Sequence, residues 1–265
     1  MKRIPLVLGL LLLLARPLAV SADQFGDFTY TNDGSAISIT GYTGAGGAVV
    51  MPSMIDGVPV TSFEFQVFHY RAGVTSVTIP STVLSIPSWG FIYCSNLTTV
   101  VIPNGLTNIG TGAFVHCDDL TSLAFPASLT NIAHRSFQSC MKLVGIFMQG
   151  DARIDDAFLF KSCTNATVYY LPNTTGWTNT FGGRPAVLWN PLAQTGDGSF
   201  GAGTNGFGFN ITGTTNIPIV VEAALDLSGG AWVPLLTNTL ATGSFYFSDP
   251  AWTNRLARFY RIRSP

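Results

Sequence analysis

The sequence contains four cysteines, at positions 94, 117, 140 and 163, and each follows the last by 23 residues. The surrounding residues repeat with the same step: VTSVTIPSTVLSIPSWGFIYCSN (74–96), LTTVVIPNGLTNIGTGAFVHCDD (97–119), LTSLAFPASLTNIAHRSFQSCMK (120–142) and LVGIFMQGDARIDDAFLFKSCTN (143–165). A fixed period of roughly 20–29 residues is the mark of a leucine-rich solenoid, in which each repeat is one coil of a stack. Such a chain sets like residues above one another, which restricts both its fold and the chemistry it can assemble.

Aligned at this step, the residues fall into columns. The first is Val74, Leu97, Leu120, Leu143 and Ala166; the second Val77, Val100, Leu123, Ile146 and Tyr169; the third Ile79, Ile102, Phe125, Met148 and Leu171. Ile86, Ile109 and Ile132 follow, then Phe91, Phe114, Phe137 and Phe160, then the cysteines. The second and third columns are two residues apart, the spacing of side chains on one face of a strand. Pro80, Pro103, Pro126 and Pro172 close their strands early, because proline has no N–H for the ladder. One coil buries too little to offset the entropy of ordering its backbone, so coils must stack to fold. The expected fold is mainly β: a leucine-rich-repeat-like solenoid of 23-residue coils, followed by a small antiparallel β-sandwich.

The pattern L-x-x-[VLI]-x-[IF]-P-x3-L-x-x-I-x4-F-x-x-C resembles the BspA-type leucine-rich repeat of bacterial surface and secreted proteins. The segment Tyr169–Trp177, with Phe181, Arg184 and Trp189 beyond it, is similar to the way such arrays finish. The resemblance covers about residues 25–190. It implies a secreted or surface-displayed binding protein, adhering to host or neighbouring surfaces.

In chain order, residues 1–22 read as a signal peptide: Lys2 and Arg3, an apolar run from Ile4 to Ala15, and small residues before Asp23. Residues 23–190 form the solenoid, opened by a hairpin of Phe28–Tyr30 and Ala36–Thr40 around Asn32-Asp33-Gly34 that caps the first coil. That coil is degenerate, with Phe63 and Phe68 in register with Ile86 and Phe91, and Arg71 in the cysteine column. Asp155 and Gln149 interrupt the columns near the closing end. Residues 191–206 read as a glycine-rich linker and 207–265 as the sandwich, with strands near 207–211, 217–224, 232–236, 244–247 and 258–263 and turns at Gly213, Ser228-Gly229-Gly230 and Asp249-Pro250. This part resembles C-terminal β-modules of secreted bacterial multidomain proteins.

Net charge is −1 and 10% of residues are charged, which argues against a nucleic-acid partner. The one basic cluster, Arg255, Arg258, Arg261 and Arg263, reads as solvated charges guarding a strand edge. Stacked cysteines lie about 4.8 Å apart, so four span roughly 14 Å and cannot meet at one zinc ion. Parallel stacking also holds their Cβ atoms too far apart for an easy disulfide. They read as buried free thiols, a structural ladder of small apolar residues. His69, His116 and His134 occupy three different columns, and Asp118-Asp119 and Asp155-Asp156 are out of register with each other. No G-x-S-x-G, H-E-x-x-H or phosphate-loop motif occurs. No enzyme, cofactor or metal is expected, and no membrane span in the mature chain.

The outward strand columns are Ser76, Thr99, Ser122, Gly145, Val168 and Thr78, Val101, Ala124, Phe147, Tyr170. They turn from small and polar to large and aromatic, and the second is the candidate binding face. Phe147 and Tyr170 could instead lie under the C-terminal part. The expected function is non-enzymatic extracellular binding of a protein or glycan; the alternative is a structural spacer without a dedicated ligand.

Overall fold

The computed structural model describes residues 23–152, 156–204, 206–227, 231–252 and 258–263. The expected signal peptide, Asp155, Arg255 and the turn at Ser228-Gly229-Gly230 lie outside these residues. The described chain is strands and turns, with a single 3-10 turn at Phe65–Val67.

The repeat builds a solenoid. On one side short strands stack in parallel: Gly47–Val50 on Val74–Thr78, and Val74–Thr78 on Thr99–Val101. Ser122–Phe125, Gly145–Met148, Thr167–Tyr170 and Arg184–Leu188 continue in the same sense. A second parallel ladder joins Ser85–Ile86, Asn108–Ile109 and Asn131–Ile132.

The third side has no strands, yet its backbone is bonded from coil to coil. Tyr70 N–H donates to Ile92 O at 2.9 Å, Tyr93 to Val115 at 2.8 Å, His116 to Gln138 at 3.0 Å and Ser139 to Lys161 at 2.8 Å. Each of these donors has a positive φ, between 57° and 62°. A left-handed residue with a Cβ costs roughly 1–2 kcal/mol, and the intercoil bonds offset it. The strain belongs to the turn, since it recurs at Ser162.

Between the three sides the expected columns are buried. Phe68, Phe91, Phe114, Phe137 and Phe160 stack face to face, with successive centroids 5.1, 5.0, 5.1 and 5.4 Å apart. The N-terminal hairpin Phe28–Asn32 and Ile37–Tyr42 pairs parallel with Val58–Phe63 and sets Tyr42 against Phe68 at 5.8 Å. It closes the open end of the core.

The last full coil departs from the expected register. Gly145 pairs with Thr167, Ile146 with Val168, Phe147 with Tyr169 and Met148 with Tyr170. Val168, and neither Tyr169 nor Thr167, is therefore the inward residue below Ile146, and Tyr170 packs against the core rather than outward. The cause is local: Ile146 lies three positions after Leu143, but Val168 lies only two after Ala166. A one-residue deletion in a strand turns every following side chain to the other face.

The C-terminal strands form two antiparallel sheets around their own core. Gly206–Thr212 pairs with Ser244–Asp249; Pro218–Ala224 lies between Val233–Thr239 and Phe259–Arg263. Phe209, Ile211, Ile219, Val221, Leu240 and Phe247 fill the space between, giving the expected sandwich. The glycine-rich stretch is not a free linker. Leu192–Ala193 and Gly201–Gly203 pair with Gly206–Thr212, and Asp197 accepts from Ser199 N–H, Ser199 Oγ–H and Asn210 Nδ2–H at 2.6–2.9 Å. Glycine there leaves room for close backbone approach: a Cβ on Gly208 would sit 2.2 Å from the Tyr246 hydroxyl.

The arginines also differ from expectation. Arg261 Nη2 and Arg263 Nε lie 2.7 and 2.6 Å from the buried Glu222 carboxylate, and Arg258 lies 2.9 Å from the buried Asp249. Burial pushes the Glu222 carboxyl up, but bonds from Arg263 and Arg261 outweigh it and hold it below the usual range. These arginines neutralise interior acids instead of guarding an edge.

Candidate binding face

The outward column of the parallel strands runs Val50, Thr78, Val101 and then, one repeat on, Ala124, Phe147, Tyr169 and Val187. Val50 and Val101 are 68% and 51% exposed, and Ala124 is exposed. Thr78 is half-buried beside them. The side chains are short, so this stretch forms a shallow floor.

The aromatic end of the column is covered. Phe147 is only 6% exposed and stacks on Tyr169 at 5.0 Å. Tyr169, Val187 and Trp189 pack against the sandwich core, and Trp189 Nε1–H donates to Pro218 O at 2.7 Å. Asn190 Oδ1 accepts both the N–H and Oγ1–H of Thr214 at 2.8 Å. The sandwich thus stands as a wall at one end of the floor. At the corner a cavity of about 190 Å3 is lined by Phe147, Tyr169, Trp189, Gln149 and Ile262. Gly145 is needed here: a Cβ would lie 2.9 Å from the Phe147 ring that folds back over it. Tyr170, expected on this face, instead stacks on Trp177 at 4.8 Å.

The four cysteines are free and fully buried. Each thiol donates to the carbonyl of the phenyl column one coil earlier: Cys94 to Phe68 at 2.9 Å, Cys117 to Phe91 at 3.2 Å, Cys140 to Phe114 at 3.1 Å and Cys163 to Phe137 at 2.9 Å. Cysteine therefore serves as a small donor as well as an apolar filler. Arg71, in the same column, extends the ladder by donating from Nη2 to Tyr42 O. Burial pushes the Cys94 thiol up to about 12 and raises Cys117 and Cys140 well above the ordinary value. Such thiols stay protonated and unreactive.

Two further clusters lie on the surface. Tyr70, Tyr93 and His116, the residues just before the cysteine column, stack with centroids 4.5 and 4.7 Å apart. All three share the 23-residue spacing of the repeat, a signal present in the sequence. His134 Nδ1 lies 2.6 Å from Asp156 Oδ2. The nearby Ser136 is buried and donates to Gly110 O and Ala133 O, so it is no nucleophile for that pair.

A family model for the BspA type leucine rich repeat region matches residues 61–181 in six copies. The leucine rich repeat protein of T. pallidum is 32% identical over 56% of this chain and 71% of its own, with a TM-score of 0.49. A leucine rich cell surface protein of Faecalibacterium prausnitzii is 25% identical over 57% of this chain and 45% of its own, with a TM-score of 0.49. The pneumococcal vaccine antigen PcpA is 20% identical over 57% of this chain and 50% of its own, with a TM-score of 0.43. No curated protein matches. No helix among the described residues is long and apolar enough to cross a membrane. With its repeat, its phenyl and thiol columns and these matches, the chain belongs to the BspA-type leucine-rich-repeat proteins.

Proposed function

We propose that the chain is a non-enzymatic extracellular binding module, exported by residues 1–22 and secreted or held at the cell surface. Its solenoid, residues 23–190, presents the floor of Val50, Thr78, Val101 and Ala124 to a protein or glycan, and the C-terminal unit forms a wall beside it. The observation that carries this reading is the exposed column of short side chains ending against an aromatic-lined corner. Stacking supports the absence of catalysis, because reactive side chains one period apart lie in rows rather than around a common point.

Arrays of extracellular-matrix proteins and glycans, probed with the full chain, test the proposal. Saturable capture by the wild type is expected, with at least about a tenfold loss for Val101→Glu and Ala124→Arg, each near a central position where contacts dominate. Capture unchanged in both variants would remove the floor from the site. An array with no capture at all would leave the spacer role as the better reading.

A further inference from the structure

Among the described residues the sandwich is open along one side. Phe259–Arg263 is the last strand of its sheet, and among the described residues no strand pairs with its outer edge. Beside that edge runs a groove of about 460 Å3, bounded by Leu192, Phe200, Phe207, Tyr260 and Ile262. Leu192 and Phe200 are 61% and 48% exposed, high for large apolar side chains at the mouth of one groove. An unpaired edge with an apolar trough beside it has the requirements of strand addition: main-chain groups bond to the edge and alternate side chains fill the trough. A sugar or a small metabolite offers no such run of N–H and C=O groups.

Charge narrows the occupant. The groove lining carries two guanidiniums, Arg258 and Arg261, while the carboxylates they pair with, Asp249 and Glu222, are buried behind it. Arg261 is held over the Trp232 ring at 4.3 Å and bonds Glu222, yet its side chain is 47% exposed while that of Glu222 is 4% exposed. The positive end faces solvent and the negative end is interior.

We propose that the terminal strand Phe259–Arg263 and the groove beside it dock an extended polypeptide segment of a partner protein, apolar on alternate residues and acidic between them. The segment adds to the sheet as a further strand. This site shares Ile262 with the corner cavity but includes none of Val50, Thr78, Val101 and Ala124, and it stands whether or not that floor binds anything.

A phage-displayed library of random nine-residue peptides, selected on the immobilised full chain, is the probe. Enriched peptides should alternate apolar residues with Asp or Glu. A synthetic copy should bind in fluorescence anisotropy at least about tenfold more weakly to Leu192→Glu and Phe200→Glu, both exposed positions where folding tolerates a charge. Binding should be unchanged in Leu227→Glu, exposed but outside the groove. Amide exchange of residues 259–263 should slow when peptide is added, which a site made only of side chains would not cause. No enrichment, enrichment without the alternating acidic pattern, or binding indifferent to both groove variants overturns the proposal. So does a concentration-dependent dimer of the wild type that Leu192→Glu abolishes, since a second copy would then be the occupant.

Discussion

The solenoid and the sandwich are both built from β-strands, but they close their cores differently. In the solenoid each residue meets its own counterpart 23 positions away, so phenyl lies on phenyl and thiol follows thiol. In the sandwich the partners are unlike and distant: Val221 faces Ile262, 41 positions further along the chain. The first arrangement is a sum of near-identical steps, each leaning on its neighbours. The second is one cooperative set of pairings with no repeated unit. The solenoid therefore has ends that must be capped, and the sandwich, among the described residues, has a side that is open.

The sharpest way to break this comparison is to remove one phenyl from the middle of the stack. Phe114→Ala should cost about 3–5 kcal/mol, seen in urea denaturation as a lower unfolding midpoint. Trp189→Ala acts at the joint, where the indole packs on the sandwich core and donates to Pro218. It should separate one thermal transition into two, whereas Trp189→Phe, which keeps an aromatic ring but loses the hydrogen bond and part of the indole's packing, should cost about 1–3 kcal/mol. Gly145→Val would drive a side chain into the Phe147 ring, and overpacking of that kind costs about 1–3 kcal/mol.

A gentler test uses pH. The Cys94 thiol is raised from 9.0 to about 12 in the folded chain. A folded value above the unfolded one gives stability that is complete below pH 9 and is lost as pH rises toward 12. Cys117 and Cys140 shift the same way, while Cys163, hydrogen-bonded to the Cys140 thiol, is lowered and partly offsets them. Melting temperature should therefore fall steeply above pH 9, and Cys94→Ala should flatten that fall while costing about 1 kcal/mol at neutral pH. Replacing the thiols has no counterpart in the sandwich, where no cysteine occurs. The smallest effect is expected at Val101→Thr, an exposed face position: within about 0.5 kcal/mol in stability, so any change in ligand capture there reports on binding alone.

Much of the solenoid was legible because its periodicity is written in identical residue types. The inward columns and the thiol ladder follow from it, while the hairpin cap is read from alternation around Asn32-Asp33-Gly34. The register of the last strand was not, because Ala166-Thr167-Val168 and Thr167-Val168-Tyr169 both alternate acceptably, and only pairing with Gly145–Met148 chooses between them. The candidate site suffered most from this. Thr78, Val101 and Ala124 are where the repeat puts them, but Tyr170 gives way to Tyr169, and the aromatic end lies under the sandwich.

By itself the sequence determined the period, and with it which side chains stack and why like residues one period apart lie in rows. That information is local: it needs only one coil and its neighbour. Tertiary structure alone decided what covers Phe147, where the arginines find Glu222 and Asp249, and that the glycine-rich stretch joins a sheet. Those contacts join residues with no shared spacing, and nothing in a repeat specifies how its last coil meets a different fold.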